Sequence, residues 1–148
     1  MAVNPIPDGF HTVTPALVVQ GASRLIDFLK QAFEAQELFR MAYPDGTIMH
    51  AEVKIGDSIV MMGEARGEPK PMPCSLHLYV NDADAVYKRA LQAGATSTME
   101  PADQFYGDRS AGVRDPSGNQ WFIGTHKEDV PPEELKKRAE ALMMMERK

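Results

Sequence analysis

The chain repeats itself at a spacing of 61 residues, and this repeat constrains the fold more than any other feature. Leu17-Val18-Val19 matches Leu78-Tyr79-Val80, and Val60-Met61-Met62 matches Trp121-Phe122-Ile123, both at that offset. A repeated unit that cannot bury its own apolar face packs against its copy. The sequence therefore predicts a pseudo-symmetric fold with a cleft between the two copies, and function is to be sought in that cleft.

The first copy reads as a strand, a helix and three strands. Residues 12–19 are rich in β-branched side chains and predict a strand. A helix follows, with Ser23 as its N-cap and with apolar residues at helical spacing, namely Leu25, Ile26, Leu29, Ala32 and Phe33. Turn signals at Pro44-Asp45-Gly46 and Gly56-Asp57 then separate three more strands, at 37–41, 47–55 and 58–62.

The second copy follows a linker rich in Gly and Pro at residues 63–73. Its helix is capped by Asn81 or Asp82 and ends before Gly94. The other predicted segments are strands 75–80 and 96–100, a long loop at 101–109, and strands 110–114 and 119–124. A third helix, predicted over 131–148, lies outside the repeat and is expected to pack on the domain edge or on a second subunit.

These segments predict an α+β fold. Two tandem βαβββ modules, at about residues 12–63 and 74–126, form one domain over residues 1–130. Their strands are expected to form a curved mixed sheet around a cleft, with the helices on the outer face. The C-terminal helix at 131–148 completes the chain.

Composition excludes several classes of partner. The net charge is −5 and the one basic triplet, Lys136-Lys137-Arg138, lies beside acidic residues, which argues against a nucleic-acid partner. The single cysteine, Cys74, excludes an intrachain disulfide and suits a reducing cytosol. The sequence shows neither a run of ~18 apolar residues nor the features of a signal peptide. We therefore expect a cytoplasmic protein with no nucleic-acid and no membrane partner.

The tandem of strand-helix-three-strand units resembles the vicinal oxygen chelate superfamily, which includes glyoxalase I, extradiol dioxygenases, and the bleomycin and fosfomycin resistance proteins. Residues 18–29 are similar to the family's first strand-to-helix passage, and Asp115-Pro116-Ser117-Gly118 is similar to its Asp-Pro-x-Gly turn. Segments 48–52 and 103–110 resemble the PhnB-like bacterial subgroup. The resemblance covers about residues 12–126 and implies a homodimer, sometimes with copies paired across subunits. It implies no particular reaction, because this scaffold supports many chemistries.

In metal-dependent members, the resemblance implies that each copy supplies one metal ligand from its first strand and one from its last. The matching positions here are Thr14, Ser75, Met61 and Phe122. None of them offers the imidazole, carboxylate or thiolate that divalent cations prefer. We therefore expect no metal at the family's position and no other cofactor.

Strand alternation predicts what the cleft contains instead. Apolar residues of strand 47–55 should face the helices, namely Met49, Ala51, Val53 and Ile55. The cleft should then be lined by His50, Glu52, Lys54, Ser75, His77, Tyr79, Gln120 and Phe122, with an apolar wall of Ala16, Val18, Ile59 and Met61. Trp121 and Ile123 are expected on the helix side. A half-polar, half-apolar lining is typical of a small-molecule pocket.

His50 and Glu52 are the candidate catalytic residues, because they lie ~7 Å apart on one strand face. His50 could act as a general base, with Glu52 holding its tautomer. The candidate ligand-binding residues are His77, Tyr79, Phe122, Met61, Gln120 and Arg109. Two alternatives stay open: these groups only hydrogen-bond one another or water, or His50, Glu52 and His77 form a relocated metal site.

Arg109 lies in the predicted 101–109 loop and, with Lys54 and Arg114, could bind a carboxylate or phosphate at the mouth of the cleft. The alternative is a surface ion pair between Asp108 and Arg109. His11 and His126 are expected at the surface.

The expected function is binding of a small organic molecule in the cleft between the modules, and the sequence leaves open whether a reaction follows. One alternative is a metal-dependent lyase or dioxygenase that uses the relocated ligands. Another is a resistance protein that sequesters a cationic or planar drug between two subunits on Phe122, Tyr79 and Trp121. A partner-binding domain without a ligand is the remaining alternative.

Overall fold

The computed structural model describes residues 2–146 and confirms two tandem modules followed by a helix. In each module a strand and a helix precede three strands, so the predicted α+β organisation is correct. The elements are β1 (Ala16–Val19), α1 (Ala22–Phe33), β2 (Gln36–Ala42), β3 (Ile48–Ile55), β4 (Ser58–Glu64), β5 (Ser75–Tyr79), α2 (Ala83–Gln92), β6 (Thr96–Asp103), β7 (Asp108–Arg114), β8 (Gln120–His126) and α3 (Pro132–Glu146).

Each module forms its own four-stranded mixed sheet, in the order β1-β4-β3-β2 for the first and β5-β8-β7-β6 for the second. The first strand of a module pairs in parallel with its last strand. Ala16 lies opposite Met61 and His77 lies opposite Phe122, so the 61-residue repeat is also a repeat of strand register. Within residues 2–146 no strand pairing joins the two sheets, and the expected single curved sheet is thus divided into two.

The core lies between the sheets and their helices. Leu25, Ile26 and Leu29 of α1 are fully buried, as the helical spacing predicts. The two modules contact each other mainly through α1 and α2. At this junction the ring of Phe33 lies 5.0 Å from that of Trp121. The helices, rather than the sheets, therefore hold the modules together.

The prediction of Ser23 as the N-cap of α1 is wrong, because Ser23 lies inside the helix. The N-cap is Gly21, whose φ of 79° favours glycine. Glu64 at the end of β4 accepts hydrogen bonds from the N–H groups of Gly21 and Ala22 at 2.8 and 3.0 Å. A carboxylate at the positive end of a helix also stabilises its dipole. In α2, by contrast, the predicted local cap is confirmed, since Asp82 accepts from the N–H of Ala85.

Several strand boundaries differ from prediction, and those next to the predicted loop matter most. The first strand begins only at Ala16, and β6 continues to Asp103. Because β7 already begins at Asp108, the predicted long loop at 101–109 is a four-residue turn. Pro101 is compatible with β6, because β6 is an edge strand and Pro101 lies within a register shift between Met99 and Ala102.

The prediction that Met49 of strand β3 faces the helices is wrong. Met49 is 42% exposed, whereas Ile48 is buried. A register shift between Met41 and Ala42 explains this, because it brings Ala42 opposite Ile48 and so breaks the alternation at the start of β3. From His50 onward the predicted alternation is correct.

Helix α3 has no buried residue among those described. It is attached near its middle, where Arg138 donates to the Phe105 carbonyl at 3.1 Å and to Glu128 at 2.6 Å. Its apolar end, Leu142 to Met145, is exposed. The last predicted helical positions, 147–148, lie outside the described residues. None of the described helices combines the length and the apolar character needed to span a bilayer.

Candidate functional site

Each sheet leaves one side uncovered by its helix, and these two surfaces carry most of the predicted site. We call them face A, on the first sheet, and face B, on the second. Face A presents Phe39, Met41, His50, Glu52 and Met61, which are neighbours in the strand register. Face B presents Ser75, His77, Tyr79, Asp108, Gln120, Phe122 and His126, which are likewise register neighbours.

His50 and Glu52 form a dyad on face A. The Nε2 atom of His50 lies 2.9 Å from Oε2 of Glu52, and both side chains are partly exposed. The ring of Phe39 lies 6.1 Å from the imidazole and is tilted by 51° to it. The predicted sharing of one strand face is confirmed, and the contact suits a carboxylate that holds an imidazole in one tautomer.

The N-terminal arm covers the other end of face A. Pro5, Pro7 and Phe10 enclose a cavity of about 500 Å³ together with Glu52 and Met61. Thr14 also lines this cavity, and its hydroxyl donates to the His11 carbonyl at 3.0 Å. Met61 is thus placed beside the dyad, under the arm. Ile59, predicted as cleft wall, is largely buried and contributes to the lining of the groove between the modules.

Three rings form an aromatic platform on face B. The ring of His77 lies 4.6 Å from that of Tyr79 and 6.4 Å from that of Phe122, nearly parallel to the latter. Gly124 leaves room for them, since a Cβ there would lie 3.1 Å from Nε2 of His77. Gln120 lies at the platform's edge, where its amide donates to the Thr98 hydroxyl at 2.8 Å. This surface suits a flat organic ring.

A polar cluster at the end of face B was missed by sequence reasoning. Asp108, expected in an exposed loop, is 4% exposed. It accepts from Nδ1 of His126 at 2.7 Å and from the Tyr79 hydroxyl at 3.3 Å. Nε2 of His126 bonds Asp129 at 2.7 Å. Extending the alternation Gln120, Phe122, Gly124 by one step would have placed His126 on this face, but the strand was predicted to stop at 124.

The two carboxylates raise the pKa of His126 above its ordinary value, chiefly through the hydrogen bond to Asp129 and then that to Asp108. Because the pKa is higher in the folded state, protonated His126 stabilises the fold. This stabilisation is complete below the unfolded-state pKa of ~6.5, and it is lost as the pH rises through the folded-state pKa of His126. We predict that the wild type melts at a higher temperature than His126→Gln and that this difference is largest near pH 6. The difference should shrink as the pH rises. A difference that stays constant between pH 5.5 and 9, measured by differential scanning fluorimetry, would contradict this.

The proposed ligand contact by Arg109 does not fit its position. Arg109 alternates with the core residues Ala111 and Val113, and so lies on the helix side of β7. Its guanidinium bonds Asp84 of α2 at 2.6 and 3.0 Å and Asp103 at 3.3 Å. The expected pair with the adjacent Asp108 is not formed. Arg109 therefore clamps α2 onto the sheet and is not part of face B.

In its described residues, a single chain provides neither the aromatic surface expected of Trp121 nor the relocated metal site. Trp121 offers no aromatic surface, because it is buried against Phe33. His50 and Glu52 lie on the first sheet and His77 on the second. Among residues 2–146 no three His, Cys, Asp or Glu side chains come close enough together to hold a metal ion. The relocated three-ligand site is therefore not assembled in a single chain.

The modules do enclose a large groove, of about 1160 Å³, but it collects few of the predicted site residues. His77 and Tyr79 line it, together with Lys54 of the first module. The rest of its lining comes from the N-terminal arm, the β3–β4 turn, parts of β4, β5 and β8, and residues of α1 and α2. His50, Glu52, Gln120 and Phe122 do not line this groove, since they belong to the centres of faces A and B.

Comparison with known proteins now identifies the family. The model of the Glyoxalase/Bleomycin resistance protein/Dioxygenase superfamily matches residues 9–123. The chain belongs to this superfamily. The uncharacterized protein Rv0887c of Mycobacterium tuberculosis is 38% identical over 146 residues, which cover 91% of this chain and 84% of that protein. The uncharacterized protein Mb0911c of Mycobacterium bovis is also 38% identical over 146 residues, which cover 91% of this chain and 93% of that protein.

Two solved structures share the fold of this chain. TioX from Micromonospora sp. ML1 superposes with a TM-score of 0.67 at 26% identity, covering 78% of this chain and 98% of TioX. The fosfomycin resistance protein FosX from Mesorhizobium loti superposes with a TM-score of 0.58 at 18% identity, covering 78% of this chain and 91% of FosX. At such identities the FosX likeness concerns the fold alone.

The divalent metal that the superfamily implies has no suitable donors at the matching positions. Met61 and Phe122 occupy equivalent places in the two registers, which supports the residue-by-residue match. They offer a thioether and a phenyl ring, while Thr14 and Ser75 offer only hydroxyls, that of Thr14 being engaged with a carbonyl. These four residues do not fit a divalent cation.

Proposed function

We propose that this superfamily member is a homodimer that binds a small organic molecule between face A of one chain and face B of the other, without the superfamily's metal. The observation that carries this proposal is the exposure of large apolar groups on both faces. Phe39 and Met41 on face A are 45% and 46% exposed, and Tyr79 on face B is 65% exposed. Contiguous exposed apolar patches of this kind mark binding surfaces.

The two faces complement each other chemically. Face A brings an imidazole–carboxylate dyad, and face B brings three rings. A molecule stacked on His77, Tyr79 and Phe122 would present its edge to His50 of the partner chain. There the dyad is suited to accept a proton from the ligand, with Glu52 stabilising the imidazolium that forms. Two-fold pairing gives two equal sites, because an isologous dimer uses each face once per chain.

Binding without turnover is a second candidate, favoured by the aromatic platform. A stacked ring gains binding energy on His77, Tyr79 and Phe122 whether or not a proton moves. A sequestering protein of this kind would hold a planar drug between the two chains. The two candidates separate experimentally, since only a catalyst depletes its ligand over time.

Further features belong to the same proposal. Segments 48–52 and 103–110 support membership of the PhnB-like subgroup. The net charge of −5 and the lone Cys74, which is half-buried, support a cytoplasmic protein with neither nucleic-acid nor membrane partners.

Metal content tests the first part of the proposal. We predict that the purified protein, incubated with nickel, cobalt, iron(II), manganese or zinc and then desalted, retains well below one equivalent of each by elemental analysis, because the matching positions lack strong donors. About one equivalent of a single metal that resists mild chelation would contradict it. Loss of that metal in both His50→Ala and His77→Ala, but not in His11→Ala, would establish the relocated site.

Ligand binding tests the second part. A thermal-shift screen of planar aromatic compounds should give stabilised hits, since ligand binding to the native state raises the melting temperature. Phe122→Ala should weaken any hit, because it removes one ring of the platform. Replacement of Leu91, an exposed residue on the helix side, with Ala is the matched control. Hits that respond equally to both variants would place the ligand elsewhere.

A further inference from the structure

The Asp108 carboxylate is buried on face B, next to the Tyr79 ring of the platform. A carboxylate that is 4% exposed is rare unless its charge is compensated. Here the compensation comes from His126, whose Nδ1 lies 2.7 Å from Oδ1. Among residues 2–146, the second oxygen, Oδ2, accepts only from the Tyr79 hydroxyl, at 3.3 Å. The cluster therefore ends in an exposed phenol that belongs to the platform.

Counting hydrogens fixes the direction of each bond in this cluster. An ionised carboxylate only accepts hydrogen bonds, and a neutral imidazole carries one N–H. Both nitrogens of His126 face carboxylate oxygens, those of Asp108 and Asp129, at 2.7 Å. The raised pKa of His126 favours the imidazolium, in which Nδ1 donates to Asp108 and Nε2 donates to Asp129.

The hydroxyl hydrogen of Tyr79 points to Asp108. Since Oδ2 of Asp108 can only accept, the phenol must donate to it. The nearby negative charge of Asp108 also raises the pKa of Tyr79, so the phenol stays protonated. A phenol oxygen that donates its hydrogen to Asp108 keeps its lone pairs to accept a hydrogen bond, and Tyr79 is 65% exposed.

We propose that Asp108 and His126 are positioning residues that hold Tyr79 as a hydrogen-bond acceptor, so that the platform selects flat molecules bearing an N–H or O–H at the ring edge. This inference rests on the proposed function and names the ligand class of the same site. The other polar groups nearby do not impose this choice. His77 can donate or accept according to its tautomer, and the Gln120 amide is engaged with Thr98.

Indole and benzofuran are suitable probes, because they are nearly the same size and differ in an N–H against a ring oxygen. Both are titrated against the full-length protein by ligand-observed NMR. The wild type should bind indole about fivefold more tightly, the worth of one ordinary hydrogen bond. Tyr79→Phe should bind the two probes equally, because the ring remains and the acceptor is gone.

The variant Asp108→Asn tests whether the Tyr79 hydroxyl must be held in this orientation or need only be present. An asparagine amide can donate to the Tyr79 oxygen and so free the phenol hydrogen for the ligand. The indole preference should therefore disappear while Tyr79 is still present, and Asp108→Glu should restore part of it. His126→Gln provides a second route if Asp108→Asn does not fold, since it removes the cationic partner that positions Asp108, and it should reduce the indole preference as well.

The outcomes distinguish this inference from the proposed function. Equal binding of indole and benzofuran to the wild type would overturn the inference and leave the platform as a binding site. A preference that persists in Tyr79→Phe would assign the selectivity to another group and overturn it as well. If neither probe binds the wild type at millimolar concentration, the proposed function fails, and the inference fails with it.

Discussion

Replacement of Asp115 with Ala should lower the free energy of unfolding by about 3–5 kcal/mol, the largest effect expected of any single polar substitution here. Asp115 is buried in the turn before β8. Its carboxylate accepts from the N–H groups of Ser117 and Asn119 at 2.8 and 3.0 Å and from Nε1 of Trp121 at 2.8 Å. The Asn119 side-chain amide also donates to it. Without the carboxylate, the Asn119 and Trp121 donors stay buried with no acceptor.

Urea denaturation, followed by the fluorescence of the single tryptophan, measures this loss directly, because Trp121 is part of the network. Asp57 supplies a matched control. It lies in the corresponding turn between β3 and β4 of the first module, and it is exposed. Asp57→Ala should change the stability by no more than about 0.5 kcal/mol. A loss of stability below 1 kcal/mol for Asp115→Ala would contradict this prediction and show that the buried donors find other acceptors.

The contrast between these two turns shows what the repeat could predict. The 61-residue offset identifies the strands that pair, because register recurs with sequence: Ala16 lies opposite Met61, as His77 lies opposite Phe122. The offset also locates core positions such as Val60 and Trp121. It carries no information on polar networks that only one copy possesses. The network around Asp115 is of that kind.

Local patterns failed where a distant element supplies the decisive contact. Ser23 is a good cap by residue type, but Glu64 satisfies the start of α1 from another strand. Met49 alternates correctly by sequence, but the register shift near Met41 alters the side that it faces. Arg109 looks free in sequence, yet Asp84 of α2 binds it. In each case the partner is 15 or more residues away or on a neighbouring strand, beyond any local signal.

The candidate site was predictable as two half-sites but not as one. Alternation placed His50 with Glu52, and His77 with Tyr79 and Phe122, on the correct faces. It could not show how the two faces lie relative to each other, because that depends on the packing of α1 against α2. Contacts such as that of Phe33 with Trp121 leave both faces exposed. In the proposed dimer, a second chain covers each of these faces.

Phe39→Asp should consequently convert a dimer into a 16.4 kDa monomer and abolish binding of planar ligands. In the proposed dimer the Phe39 ring is buried between the chains, and a carboxylate there would lie close to the Glu52 side chain of its own sheet. A buried charge without a partner costs about 3–5 kcal/mol, which weakens the dimer at least a hundredfold. Size-exclusion chromatography with light scattering measures the mass.

Leu91→Asp is the matched control for this prediction. It adds the same charge at an exposed apolar residue, but on helix α2, away from face A, and it should leave the dimer and its ligand binding intact. Circular dichroism must show both variants folded, since the fold of each module depends on its helix-covered core and not on Phe39. A wild-type mass of 16.4 kDa at micromolar concentration would remove the shared site. The groove between the two modules of one chain, lined by His77 and Tyr79, would then be the binding site to test.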